Sequence, residues 1–389
     1  QNYNHSSSNL WKMIEILEIK NFKSIKKKRF GLRNLNLLLG LNGMGKSSFV
    51  QMLLLLRQSR LQEGLRLNAN LVSIGSARDA LYQYAREENL SIFLAFTDGE
   101  AQQFMFDFRA ESDLFPPSEH FELDQGFYQQ ALWHNQSFQY LNANRQEPTS
   151  IHRKSYSDVV SQRSLGNFGQ FAAHFLETYG SSEVKYNDLI HPKSYIEDQV
   201  TGQKIVNSSL LNQVNLWLGE ISPGVRVQVT SIQNTENIQV EYEFIQPNFG
   251  TTNRFKPTNV GFGISYVLPV VVSLLAARPG DLLIIENPES HIHPRGQAEL
   301  GKLVAAAAAN DVQIIIETHS DHFVNGVRVA VKEGLLDHSK AVLFYFEKAV
   351  TVSEQFSKIT DVEIDSRGEL SSYPENMMDE WSNQLIKLV

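Results

Sequence analysis

The chain has 389 residues, 42% hydrophobic and 20% charged, with a formal net charge of −8; this length suits two domains, or one large domain with an insertion, and the apolar share can build a sizeable core. It contains no cysteine, which excludes disulfides, zinc–thiolate sites and a cysteine nucleophile, and fits a cytoplasmic location. The acidic balance argues against a general basic surface for nucleic acid, leaving only a local patch, and no window reaches the roughly 18 apolar residues of a membrane span, so no membrane partner is expected.

Residues 1–12 are polar and rich in Asn and Ser, without a signal-peptide pattern, and read as a tag or disordered leader before a native start at Met13. Met13–Ile19 alternates apolar and polar residues as a strand does. A basic stretch follows, with Lys20, Lys23, Lys26, Lys27, Lys28 and Arg29. Leu35–Leu39 is a short apolar run, hence a buried strand, and Phe49–Leu61 reads as a helix. Leu90–Phe96 and Gln103–Phe108 read as strands joined at Asp98-Gly99. From about Ala110 to Ile205 the texture changes to Gln, Asn, Ser, His and aromatics with weak periodicity, which suggests an inserted, partly helical region. Ser208–Ile221 is an amphipathic helix, and Val225–Thr230 and Ile238–Phe244 are a strand pair. Asn259–Ala277 is a glycine-containing turn followed by an apolar helix. Asp281–Ile285 and Val312–Ile316 are buried strands, each followed by a helix, at Gly296–Ala309 and Asp321–Lys332, and Ala341–Phe346 and Thr360–Ile364 are late strands. Strands alternating with helices in this way imply an α/β fold with a mostly parallel sheet covered on both faces.

Four motifs carry chemistry. Gly40-Leu-Asn-Gly-Met-Gly-Lys-Ser-Ser48 is a P-loop between a strand and a helix. Its backbone N–H groups, over Asn42, Gly43, Met44, Gly45 and Ser48, and the helix N-terminus form an anion nest. Lys46 can reach the β- and γ-phosphates and the Ser47 hydroxyl can ligate Mg²⁺, so ATP with Mg²⁺ is the expected ligand pair. Leu282-Leu-Ile-Ile-Glu-Asn-Pro-Glu289 is an apolar strand ending in carboxylates, which is what a Walker B element requires: one carboxylate near the metal and a later one to orient water. Glu317-Thr-His-Ser320 puts His319 just past a buried strand, where it can hydrogen-bond a γ-phosphate. Asn259-Val-Gly-Phe-Gly-Ile-Ser265 opens an apolar helix; alone it is most plainly a helix cap, but glycines there can also approach a phosphate.

The motifs and their order resemble the ABC-type, AAA-family ATPase heads of the RecF/SMC/OLD kind. IEILEIKNFKSI looks like the first strand of those heads, GLNGMGKSS like their loop, and IIENPESHIHP like the acidic segment of OLD-type ATPases. The resemblance implies an N-terminal lobe over 13–108, an insertion over 109–207, a second lobe over 208–335 and a C-terminal extension over 336–389, with an antiparallel β subdomain. It implies a head-to-tail homodimer, or a higher oligomer, in which Gly261, Gly263 and Ser265 act on the other subunit's nucleotide. Lys23 would sit near the nucleotide, Ser47 and Glu286 at the metal, and His319 would be the switch histidine. The position where such heads carry their catalytic Glu is Asn287 here, and an amide accepts no proton as a carboxylate does, so the role passes to Glu289 or turnover is slow.

The tail is too short for a Toprim nuclease domain and resembles that of standalone prokaryotic ATPases found in phage-defence operons beside a separate effector, such as a nuclease. Two alternatives stand beside that reading: a nucleotide-gated scaffold with little turnover, and a repair or recombination ATPase acting directly on DNA. The basic stretch Lys20–Arg29 is a candidate for DNA phosphates or a solvated hairpin. His291 and His293 read as part of the loop after the acidic strand rather than as metal ligands, and His134, His152, His174 and His191 show no metal-ligand spacing.

Overall fold

A computed structural model of the protein describes residues 12–197, 202–246, 248 and 250–388. The leader expected over 1–12 thus lies, except for Lys12, outside the described residues. The chain opens with a hairpin, β1 (Ile14–Phe22) and β2 (Ile25–Gly31), followed by β3 (Leu35–Gly40) and helix α1 (Lys46–Gln58). Strands β4 (Asn89–Phe96) and β5 (Ala101–Asp107) come next, then β6 (Phe138–Leu141), α2 (Ala172–Tyr179), α3 (Leu210–Ile221), β7 (Val225–Ser231) and β8 (Asn237–Gln246). The last part holds α4 (Phe262–Ala276), β9 (Leu282–Glu286), α5 (Pro294–Ala309), β10 (Gln313–Glu317) and α6 (Asp321–Lys332). A hairpin of β11 (Ala341–Val350) and β12 (Gln355–Glu363) and a final helix α7 (Glu380–Leu388) complete it.

Six strands form the central sheet in the order β12-β11-β3-β10-β9-β6. Every neighbouring pair is parallel except β11 with β12. Its strands lack apolar/polar alternation because both faces are covered. Successive side chains instead alternate between two cores. Leu38, Ile284, Ile315 and Phe344 pack with α1 and the antiparallel sheet β2-β1-β4-β5. Leu37, Leu283, Ile314 and Leu343 pack with α3, α4, α5 and α6. None of the described helices is long and apolar enough to cross a membrane.

The segment 109–207 contains α2, a five-residue π-helical turn at Ser157–Ser161 and several 3₁₀ turns, in keeping with a partly helical region. The structure adds that this segment is built into the same two cores as the rest of the chain. Its strand β6 is the edge of the central sheet, paired in parallel with β9, and its Phe127, Leu132, Leu165 and Phe175 enter the two cores. Parallel pairing gathers the C-terminal ends of β6, β9, β10 and β3 on one edge, where ligand crevices of open α/β sheets form: Leu141 is level with Ile285, Glu286 with Glu317, and Glu317 with Leu38.

Candidate nucleotide site

The loop from Gly40 to Gly45 links β3 to α1, whose first residue is Lys46. Two of its glycines are demanded by close approach. A Cβ on Gly40 would meet the Phe346 carbonyl oxygen at 2.3 Å, and one on Gly45, at φ +105°, would meet Ser357 Oγ at 2.2 Å and Ser24 Oγ at 2.5 Å. The late hairpin therefore forms the floor of the loop. Ser357 Oγ lies 2.7 Å from Ser24 Oγ and donates to the Met44 carbonyl at 2.6 Å. The first-turn N–H groups of a helix have no intrahelical partner, so the end of α1 is suited to an anion. Lys46 is buried, and its ammonium donates to the carbonyls of Gly40 at 2.7 Å and Leu41 at 3.0 Å. Burial lowers its pKa, against the pull of Glu317.

Two carboxylates end neighbouring strands at this edge, and the strand order separates their surroundings. Glu317 is one strand from the loop strand and Glu286 is two. Ser47 Oγ lies 3.4 and 3.3 Å from the two Glu317 oxygens, and Lys46 Nζ is 3.9 Å from Glu317. Burial, with Glu286 nearby, pushes the Glu317 carboxyl up to about 7 despite Lys46. Glu286 is held from the other side, by the Tyr140 hydroxyl at 3.0 Å and the Ala143 N–H at 3.1 Å. Arg145, also from the loop after β6, donates to the carbonyls of Glu286 at 2.7 Å and Asn287 at 3.2 Å. Its guanidinium is buried beside Glu289 and Glu286.

Asn287 adopts φ +44°, and its N–H donates to the Glu317 carbonyl at 2.7 Å. Its side-chain Oδ1 is buried without a partner. Glu289 is 7% exposed. One of its oxygens accepts the His319 N–H at 3.0 Å, and the other, Oε2, has no partner. The His319 imidazole is kept below its usual pKa by burial and by Lys46, and it hydrogen-bonds the Gly40 carbonyl. Lys46, Ser47, Glu286, Glu289 and His319 thus converge on one edge. Among the described residues, no group of three or more His, Cys, Asp or Glu could hold a metal ion alone. Ser47 with one or two carboxylates fits Mg²⁺ that arrives with phosphate oxygens.

The residues expected to act across a dimer do not share one surface. Gly261 is exposed with open space around a Cβ, and the adjoining Phe262 is 57% exposed. Gly263 is instead a packing residue, because a Cβ there would strike the His291 carbonyl oxygen at 2.2 Å. The Ser265 hydroxyl is buried, beside Tyr242, and is not presented to solvent with Gly261.

A cleft of about 320 Å³ adjoins the loop, lined by Lys23, Gly43, Met44, Tyr82, Lys348 and Phe356 among others. Lys23, at φ +49°, donates to Gln51 Oε1 at 2.9 Å, and burial lowers its pKa. The five other basic residues of its stretch are paired with four carboxylates: Lys20 with Glu87, Lys26 with Glu354, Lys28 with Asp361, while Lys27 and Arg29 share Glu18. That pairing favours an edge hairpin over a phosphate-binding patch. Sequence reasoning missed Glu317, the clamp of Tyr140, Ala143 and Arg145, and the cleft. The apolar run FQYL at Phe138–Leu141 was the available sign of β6.

Comparison with known proteins follows this geometry. Residues 35–325 match a family described as "AAA domain, putative AbiEii toxin, Type IV TA system", and residues 336–388 one described as "Protein of unknown function (DUF3696)". None of the curated proteins matches. Among solved structures, an Smc head bound to the C-winged helix domain of ScpA matches at 12% identity and a TM-score of 0.50, over 90% of this chain and 98% of that one. An Smc head with an extended coiled coil, bound to the C-terminal domain of ScpA derived from Pyrococcus furiosus, matches at 12% identity and 0.46, over 97% and 99%. An SMC head domain from Thermotoga maritima matches at 12% and 0.38, over 90% and 99%. The first of these establishes likeness of fold: an ABC-type ATPase head with a mostly parallel central sheet.

Proposed function

The chain belongs to the AAA-domain family described as putative AbiEii toxin, Type IV TA system, and from that premise we propose that it binds ATP with Mg²⁺ and hydrolyses it, nucleotide closing a head-to-tail dimer that regulates a separate effector, such as a nuclease, in the cytoplasm. The observation that carries the catalytic part is the Glu289 carboxylate: buried, tied at one oxygen to the His319 N–H, unpartnered at the other, and near Glu317, which contacts the loop lysine and serine.

The loop N–H groups and the α1 N-terminus would cradle the phosphates, and Lys46 would exchange its two carbonyl acceptors for phosphate oxygens. Lys23 and the cleft beside Met44, Tyr82 and Phe356 would hold the ribose and base. Mg²⁺, when bound by Ser47 with Glu286 or Glu317, would neutralise phosphate charge. Glu289 would take a proton from water at Oε2 while the water oxygen bonds the γ-phosphorus and the bond to ADP breaks. A neutral His319 would be available to donate to the γ-phosphate. Gly261 and Phe262, exposed at the start of α4, would meet the other subunit. The SMC heads that match were solved with ScpA, which favours a partner protein for this head too.

A second reading, a nucleotide-gated scaffold with little turnover, draws on Asn287, whose Oδ1 is buried where a catalytic carboxylate was expected. Lys46→Ala is expected to abolish ATP binding in a calorimetric titration; affinity equal to that of the wild type would remove the site assignment. Steady-state ATP turnover by the wild type, alone and with DNA, separates the two readings, and turnover no faster than in Glu289→Gln would favour the scaffold.

A further inference from the structure

We infer that Glu317 is a second carboxylate for the divalent cation, beside Ser47, and that it makes nucleotide binding itself, not hydrolysis alone, depend on that cation. The inference rests on the nucleotide-site reading above. Strand order is the first support, because β10 lies between β3 and β9 and so brings the end of β10 nearest the loop. Contact is the second: both Glu317 oxygens lie within 3.4 Å of Ser47 Oγ, the hydroxyl expected to ligate the metal. Glu286 is the third, since Tyr140 and the Ala143 N–H hold its two oxygens toward the loop after β6.

A hydroxyl and two carboxylates fall short of the six oxygens that Mg²⁺ prefers. No group of three or more His, Cys, Asp or Glu among the described residues completes the set. Phosphate oxygens and water would supply the remainder, so nucleotide and cation each strengthen the other's binding. Without the cation, the phosphates would approach Glu317 and the nearby Glu286 and Glu289. Glu289 is 7% exposed and keeps an unpartnered oxygen. Like charges at short range in partly buried surroundings repel strongly. Lys46, 3.9 Å from Glu317, and the Arg145 guanidinium beside Glu289 and Glu286 offset part of that charge.

The test is calorimetric titration of the full chain with a non-hydrolysable ATP analogue, in Mg²⁺ and in EDTA. The wild type is expected to bind about tenfold or more tightly in Mg²⁺, a difference of roughly 1.4 kcal/mol or more. In Glu317→Gln the ratio should collapse toward one, with tighter binding in EDTA and weaker binding in Mg²⁺. Glu286→Gln, which leaves the Ser47–Glu317 contact intact, should keep more of the wild-type ratio. A wild-type ratio in Glu317→Gln overturns the inference. So does a ratio near one in the wild type, which requires no variant to fold. Absence of binding by the wild type in Mg²⁺ would instead remove the nucleotide-site reading on which the inference stands.

Discussion

At the scale of single residues, the site divides into groups that a sequence can mark and groups that only pairing reveals. The loop lysine and serine are legible because glycines at fixed spacing leave few other readings. Glu317 is not, since a carboxylate ending QIIIE looks like any strand running into a turn; only the register against Leu38 and Glu286 shows which way it faces. Its pKa of about 7, against an ordinary 4.5, has a testable sign. The folded state binds this proton more tightly than the unfolded one, so the stabilising contribution is full in acid and is lost as pH rises through about 7. Glu317→Gln should therefore raise the melting temperature of the nucleotide-free protein above about pH 7 and leave it nearly unchanged below about 4.5; a pH-independent shift in scanning calorimetry would count against this. Glu289→Gln should slow ATP turnover by about 10²-fold or more, the usual range for a lost general base, with nucleotide affinity kept. Unchanged turnover would move the base role elsewhere.

At the scale of elements, short, mainly apolar runs identified β3, β9 and β10 because both faces of the sheet are covered. Two of the twelve numbered strands escaped, as did several strands of two or three residues. The β2 sequence IKKKRFG hides its alternation under lysines, which pair with Glu354 and Asp361 of the late hairpin and with Glu18 of β1. The β6 sequence is four residues long and sits among polar, aperiodic sequence. Yet β6 and its loop fix the acidic turn: Arg145 satisfies the Glu286 and Asn287 carbonyls, and Asn287 holds a left-handed conformation. Arg145→Met would leave both carbonyls without that donor, at a cost of about 2–3 kcal/mol. Urea unfolding should show that loss, and kinetics should show a lower kcat with little change in KM. A kcat equal to the wild type would mean that Arg145 only supports the fold.

At the scale of the molecule, the head has two cores on either side of one sheet, with its catalytic candidates along a single edge. Family and fold were legible from motif order; which groups of the Asn259–Ser265 motif stay on the surface was not, because exposure is a property of packing. Gly261 and Phe262 remain on the surface, whereas Gly263 and the Ser265 hydroxyl do not. Phe262→Asp is accordingly expected to leave the monomer's unfolding free energy within about 0.5 kcal/mol of the wild type and to prevent the ATP-dependent mass increase expected by light scattering for Glu289→Gln; a dimer that persists would place the interface elsewhere. The floor beneath the phosphate loop has a consequence for synthesis. Met44 is held by Ser357, 313 positions further along, and Gly40 rests on Phe346. A ribosome that has finished the loop still has most of the chain to make before that floor exists. The nascent protein thus carries every residue of the loop for most of its synthesis without a finished cradle, and it becomes competent for nucleotide only after the late hairpin emerges and folds back.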